Sequence, residues 1–354
     1  MMFHNLLIKR VLDLPVRGIT SVVSPYSCGG AREFYSEADY WWRDPDDPAG
    51  KYINRDGESN PDCFNRHRKL LMRLSCITGI LAQEYWQTGE KALLDKFCEH
   101  LHIWFADENI SMLPHLEYAQ AIRQQVPGRN YGVIDSLHLA EVALATFKLR
   151  KDMPAELLAK VTAWFGEYLN WLCTSNLGKA ERATLNNHAV CWYVQAASFA
   201  HLTENNALLD EFRRDTAEVL LKQIAADGAL PLELKRTKPY GYELFTVEVF
   251  AGLAALLSNE KENFFMLRKD DGGSILDAVN FMYPYIADKG KWFTRQDVKY
   301  YDYWPVRQNA LYLADAFCGR SDFKSLWDRL PDYRLKFELV RNYPVRNPEL
   351  WIIK

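Results

Sequence analysis

Apolar positions recur at three- and four-residue spacing over most of the chain. Leu70, Leu74, Ile77, Leu81 and Tyr85 form one series, and Leu93, Phe97, Leu101 and Trp104 the next. This is the period of helices that bury one face. Leu137, Leu144 and Phe147 mark a further helix, and Leu157, Val161, Trp164, Tyr168 and Trp171 another. The same pattern predicts helices at about 188–203, 207–226, 243–258, 274–287 and 305–318. Strand-like alternation is scarce, and one short extended piece is expected near 334–353. Helices joined by short polar turns, without βαβ alternation, predict an all-α array of antiparallel helix pairs, which can close into a toroid. No fixed-period repeat points to an open solenoid. No Ser/Gly/Pro-rich linker divides the 354 residues, so residues 1–354 are expected to form a single domain.

Three segments break the helical period. Ser24 to Pro61 contains YWWRDPDDPAGKYINRDGESNP, too aromatic for easy disorder, and predicts a folded loop or lid at about 24–61. Met112 to Arg129 is a second, and Lys289 to Pro305 a third, with Trp292, Tyr300, Tyr301, Tyr303 and Trp304.

Composition then narrows the partners. The apolar and charged fractions are those of a soluble globular protein, and no run of eighteen apolar residues predicts a membrane span. A net charge of −3 argues against nucleic acid as a partner. An acidic substrate would have to meet a local basic patch. The seven cysteines lack a CxxC pair and are read mainly as small buried hydrophobes in helices. The N-terminal MMFHNLLIKRVLDL has no secretory-leader pattern, so the expected compartment is the cytoplasm, or the periplasm or exterior if a leader once preceded it. His100 and His102 face different ways on a helix, and His67, His115, His138 and His201 have no HExxH or CxxC companion. No metal and no cofactor are expected. GxSxG, P-loop and GxGxxG contexts are missing too.

Two clusters carry candidate chemistry. Asn186, Asn187 and His188 precede the apolar run that begins at Val190. As structure, they cap a helix. As function, they set an amide and an imidazole at a helix N-terminus, where free N–H groups and the dipole favour an anion. The second cluster, DGALPLELKRTKPYGYELF from Asp227 to Phe245, groups Lys235, Arg236 and Lys238 with Tyr240 and Tyr242. A charge run is usually a solvated helix end, and neighbouring tyrosines are usually packing. Arg236 and Tyr242, six positions apart across a Pro–Tyr–Gly turn, also offer a guanidinium for a carboxylate and a phenol for proton transfer on one sugar.

Tyr40-Trp41-Trp42, then Asp44-Pro45, Arg55-Asp56-Gly57 and Asn60-Pro61, resemble the N-terminal signature of the alginate-lyase-like superfamily of polysaccharide lyases. Asn187-His188 resembles the family's catalytic Asn-His pair. The stretch Asp227-Gly228, Leu230-Pro231, Glu233-Leu234 and Arg236, ending at Tyr242, is similar to its catalytic Arg and Tyr segment. The signatures stand in family order over roughly residues 35–320. The resemblance implies an incomplete (α/α) toroid and β-elimination on a uronate-containing polymer, either mannuronan (alginate) or glucuronan. Arg236 and Tyr242 stand one position closer than in the family's alginate lyases, and Tyr240 lies beside them, so either tyrosine fits, with Tyr242 preferred.

The reaction suits these groups. Removing the C5 hydrogen of a uronate and expelling the C4 oxygen builds charge into the carboxylate, which Asn187, His188 and Arg236 would neutralise. Donors placed where charge develops supply on the order of 3 kcal/mol each. In mannuronate and glucuronate the C5 hydrogen and C4 oxygen share a side, so Tyr242 serves as base and then acid. In their C5 epimers His188 would have to be the base. Tyr40, Trp41, Trp42, Tyr240, Tyr301, Tyr303 and Trp304 are candidates to stack on sugars or line the cleft, and Arg55, Gln120, Arg129 and Arg307 to contact carboxylates or hydroxyls. Two other readings compete. One is a glycoside hydrolase drawing on Asp44, Asp56, Asp135 or Glu243. The other is a non-catalytic acidic-polysaccharide-binding protein.

Overall fold

The computed structural model describes residues 2–47, 50–268, 271–332 and 336–353. Pro48 and Ala49 of the expected N-terminal loop, and Arg334 and Leu335 of the expected extended piece, lie outside them. The all-α class holds: the described strands are three or four residues long. The first apolar series forms helix Arg66–Thr88, which stops at Gly89, a left-handed residue whose N–H reaches the Tyr85 carbonyl at 2.7 Å. The second forms Lys91–Leu101 and runs on into a π-helical turn, His102–Ala106. The next two become Leu139–Leu149 and Ala155–Thr174.

Several boundaries move for identifiable reasons. The helix expected from 243 starts at Pro239, whose fixed φ suits a first helical position. The one expected from 305 starts at Asn309, where the buried Glu248 carboxylate accepts the N–H groups of Asn309 and Ala310 at 3.2 and 2.9 Å. The run at 207–226 divides into helix Asn206–Glu218 and a 3-10 turn, Leu220–Gln223. The expected extended piece near 334–353 is instead two helical turns, Phe337–Arg341 and Pro348–Trp351, which bury Leu339, Leu350 and Trp351. Cysteines depart from expectation in part: Cys191 is buried in a helix as expected, whereas Cys28 is exposed and Cys28 and Cys63 lie outside helices.

The chain resolves into two compact units. The first comprises Met1–Tyr52, Asn60–Glu181 and Ser198–Asn205. In it, helix Arg66–Thr88 packs on Lys91–Leu101 and Leu139–Leu149, and strand Tyr35–Glu37 pairs in parallel with Tyr118–Ala121. The second comprises Ile53–Ser59, Arg182–Ala197 and Asn206–Lys354. Its centre is helix Pro239–Leu257, buried at every position except Gly241. Such all-round apolarity marks a core helix. This helix is long and apolar enough by composition to cross a bilayer, yet it is enclosed by Asn309–Cys318, Ile275–Ala287 and Pro231–Leu234.

Gly228, in the DGALP stretch ahead of that helix, has a positive φ of 91°. A Cβ there would lie 2.2 Å from the Asp277 carbonyl oxygen. Gly228→Ala is therefore expected to cost at least about 2 kcal/mol, from backbone strain and overlap together. An unchanged thermal midpoint would show that the turn can relax away from Asp277.

Candidate active site

All four residues expected to be catalytic belong to the second unit. Asn187 opens helix Asn187–Leu202 and is 3% exposed. Its backbone N–H donates to Glu233 Oε1 at 3.0 Å and its side-chain Nδ2 to Glu233 Oε2 at 2.8 Å. Glu233 thus takes the place of an N-cap, satisfying a free helix N–H and fixing the amide's orientation. His188 follows at half-buried exposure, its backbone N–H donating to Asn186 Oδ1 at 3.3 Å.

Arg236 follows the short helix Pro231–Leu234 and is held by two carboxylates. Nε and Nη2 donate to Asp56 Oδ2 and Oδ1 at 3.1 and 2.6 Å, a bidentate fork. Nη1 is only 3.5 Å from Glu233 Oε2, at the limit of a hydrogen bond. The guanidinium carbon stands 4.0 Å from the centre of the Tyr242 ring. Tyr242 is 8% exposed, and its hydroxyl makes a long 3.5 Å contact to Asp56 Oδ1. Asn187, Arg236 and Tyr242 are thereby linked through Glu233 and Asp56.

The carboxylates titrate accordingly. Burial would raise Asp56, but the Arg236 fork and the Thr237 bonds outweigh it and hold the group below the usual aspartate range. Burial likewise disfavours charge on Arg236, and Asp56 and Tyr242 reverse that, so its pKa rises. The two partners agree on a charged pair. Glu233 moves up, since burial prevails over its bonds from Asn187 and the charge of Arg236.

Local sequence explains how Asp56 gets there. Thr237 Oγ1 donates to the Asp56 carbonyl at 2.8 Å and lies 3.0 Å from Oδ2. Gly57 has a φ of 79°, and a Cβ on it would sit 2.7 Å from Thr237 Oγ1. The glycine after Asp56 permits this close approach.

The two tyrosines separate cleanly. Tyr240 is fully buried, its hydroxyl donates to the Tyr285 carbonyl at 2.9 Å, and its ring meets Trp292 and Tyr301 edge-on. Burial, then Tyr301 and Asp297, raise its pKa. Expected on the sequence to contact sugar, Tyr240 is a packed core residue, because the helical turn beginning at Pro239 directs it to the opposite side from Tyr242 contacts. The Asp297 carboxylate accepts the N–H groups of Tyr240 and Gly241 at 2.8 and 2.9 Å and so caps this helix.

Other expected contacts in this unit vary. Arg55 is half-buried beside Asp56. Lys289 Nζ lies 3.6 Å from the centre of the Tyr301 ring. Trp304 is 7% exposed and stacks on Tyr343 at 5.9 Å, and the Arg307 guanidinium lies over Trp327 at 4.7 Å. The last two are held more by packing than as open platforms.

In the first unit, Tyr40, Trp41 and Trp42 are half-buried. Trp41 and Trp42 line a cleft of about 200 Å³ with Arg43, Tyr52 and Arg123. Arg129 lies 5.4 Å over Trp41 and donates through Nη2 to Gln120 Oε1 at 3.1 Å. Gln120 in turn donates through Nε2 to Asp135 Oδ1 at 3.1 Å and holds a strained φ of 49°. In the sequence Glu233 stands out only within a motif, Asp56 as part of the Arg55-Asp56-Gly57 signature and as a spare acid, and Asp297 not at all. A guanidinium destined for partial burial needs a carboxylate, which was a usable signal for Asp56. Asp297 carries no local signal.

Among the described residues, no group of three or more His, Cys, Asp or Glu side chains could hold a metal ion. A search of curated proteins gives no match. Among solved structures, an alginate lyase from Bacteroides ovatus superposes with a TM-score of 0.82 at 25% identity, covering 96% of this chain and 92% of that one. Alginate lyase A1-III from Sphingomonas species A1 gives 0.57 at 14% identity over 90% and 88%. A histidine-to-alanine form of A1-III complexed with a tetrasaccharide gives 0.62 at 13% identity over 100% and 94%. The fold class is thus the (α/α) toroid of these lyases. The Alginate lyase family model matches residues 20–292, and the chain belongs to that family of polysaccharide lyases.

Proposed function

We propose that this lyase cleaves mannuronan (alginate) or glucuronan by β-elimination, with Tyr242 as base and then acid. Asn187, His188 and Arg236 neutralise the uronate carboxylate. The observation that carries the reading is the convergence on Glu233 of Asn187, bound at 2.8 Å, and Arg236, 3.5 Å away and fixed by its fork on Asp56, with the Tyr242 ring 4.0 Å from the guanidinium. The Tyr242 phenolate takes the C5 hydrogen as a proton, the C5–H electrons form the C4–C5 double bond, and the C4–O4 bond breaks. The same phenol then protonates the departing O4. A cation beside the ring favours the phenolate that starts the sequence. That residues 1–354 act as a single lyase domain is part of the same proposal, as are Arg55 and Tyr301 as substrate contacts in the second unit and Tyr40, Trp41, Trp42, Gln120 and Arg129 as sugar contacts in the first.

The hydrolase reading loses support. Glu243 is fully buried with Oε1 accepting the Leu230 N–H at 3.0 Å, Asp135 is 3% exposed, and Asp56 is taken by Arg236. The product decides between the readings. Incubation with mannuronan, guluronan, glucuronan and glycosaminoglycans is expected to raise ultraviolet absorbance from the conjugated C4–C5 double bond on mannuronan or glucuronan. New reducing ends without that absorbance would establish hydrolysis, and binding without either would establish a non-catalytic protein.

A further inference from the structure

A second cation attends Tyr242. Lys238 is 6% exposed, and its Nζ lies 5.2 Å from the centre of the Tyr242 ring and 5.5 Å from that of Tyr300. Its counter-ion is Glu338, 3.1 Å away and 7% exposed, on the turn Phe337–Arg341. A buried ion pair is a poor stabiliser compared with apolar packing, so its position beside a phenol asks for another reason. Tyr300 holds a φ of 65°, a strained conformation for a bulky residue, with its ring against the Lys238 ammonium.

We propose that the buried Lys238–Glu338 pair is a positioning device that sets the proton affinity of Tyr242. The lysine charge favours the phenolate, and Glu338 moderates that charge. This rests on the Tyr242 reading above. Other charged or titratable groups about Tyr242 include Arg236 across its ring, Asp56 at its hydroxyl, and Glu233 and His188 beyond Arg236. Asp297 at the helix cap also feels Lys238, Tyr300 lies beyond it, and Arg341 stands 3.9 Å from Glu338. Arg236 is already matched by Asp56. The effective charge of Lys238 is instead governed by Glu338, which lies beyond the matched residues 20–292. The C-terminal turn thus becomes part of the catalytic electrostatics rather than an appendage.

The test is the pH dependence of kcat and kcat/KM on the preferred polyuronate for wild type, Lys238→Met, Lys238→Arg and Glu338→Gln. Lys238→Met is expected to move the acid limb of kcat/KM up by about one pH unit, the size of a nearby-charge effect. Glu338→Gln should move it down, and Lys238→Arg should keep it near wild type. Opposite shifts from the two partners are what a purely structural ion pair cannot give. Limbs that stay in place, or that move the same way in Lys238→Met and Glu338→Gln, overturn the proposal. If Lys238→Met does not fold by circular dichroism, Glu338→Gln with Lys238→Arg decides on the same criteria. Tyr242→Phe separates the failures: wild-type turnover there removes the Tyr242 reading itself, whereas a dead Tyr242→Phe with unmoved limbs removes only the ion-pair role.

Discussion

Tyr242→Phe is expected to lower turnover at least about a hundredfold while the protein stays folded, since in the proposed mechanism one oxygen carries both the base and the acid role. The ring keeps its packing against Arg236, and the hydroxyl's contact to Asp56 is a long one of 3.5 Å. Tyr240→Phe is the matched control. Its hydroxyl serves the Tyr285 carbonyl, so the loss should appear as about 1 kcal/mol of stability rather than in kcat. His188→Ala divides the substrates: some activity should persist on mannuronate or glucuronate and disappear on guluronate. A dead Tyr240→Phe beside an active Tyr242→Phe would reverse the tyrosine assignment.

Arg236→Ala should lower kcat/KM by about a hundred- to a thousandfold, as for removal of one donor aimed at developing charge. Arg236→Lys should restore only part, because an ammonium cannot reproduce the fork on Asp56. Stability should respond as well. The folded pKa of Asp56 lies below its ordinary value of 3.8, so its contribution is complete above that value and is lost as pH falls through the depressed one. In Arg236→Ala that acid-side dependence should flatten. Thermal melts across this acidic range, with the lyase assay, check both parts. Wild-type turnover in Arg236→Ala would remove Arg236 from the chemistry.

The helices were legible because burying one face of a helix leaves a periodic record, as in Leu70 to Tyr85. Their boundaries were less so. Asn309 begins its helix where Glu248, 61 positions earlier, supplies the acceptor, and no local pattern announces that. The site divides the same way. Asn187, His188, Arg236 and Tyr242 stand out as candidates from motifs, with Tyr242 preferred, and the direction each tyrosine ring takes from helix Pro239–Leu257 adds the support for Tyr242 over Tyr240 that spacing alone could not give. Lys238 was visible only as a member of a charge run. Its burial against Glu338, 100 positions away, turns it from a solvated residue into a neighbour of the phenol.

The clamp on Arg236 also bears on the entropy of substrate capture. A free arginine side chain holds about 2 kcal/mol of rotamer freedom. With Nε and Nη2 fixed on Asp56, much of that freedom is surrendered when the chain folds rather than when the polymer docks. Nη1, held only at 3.5 Å by Glu233, remains the edge least committed within the protein. Under the proposed reaction, a uronate carboxylate arriving there would meet a guanidinium whose plane is already set, and more of the gross interaction would be retained as affinity for the developing charge.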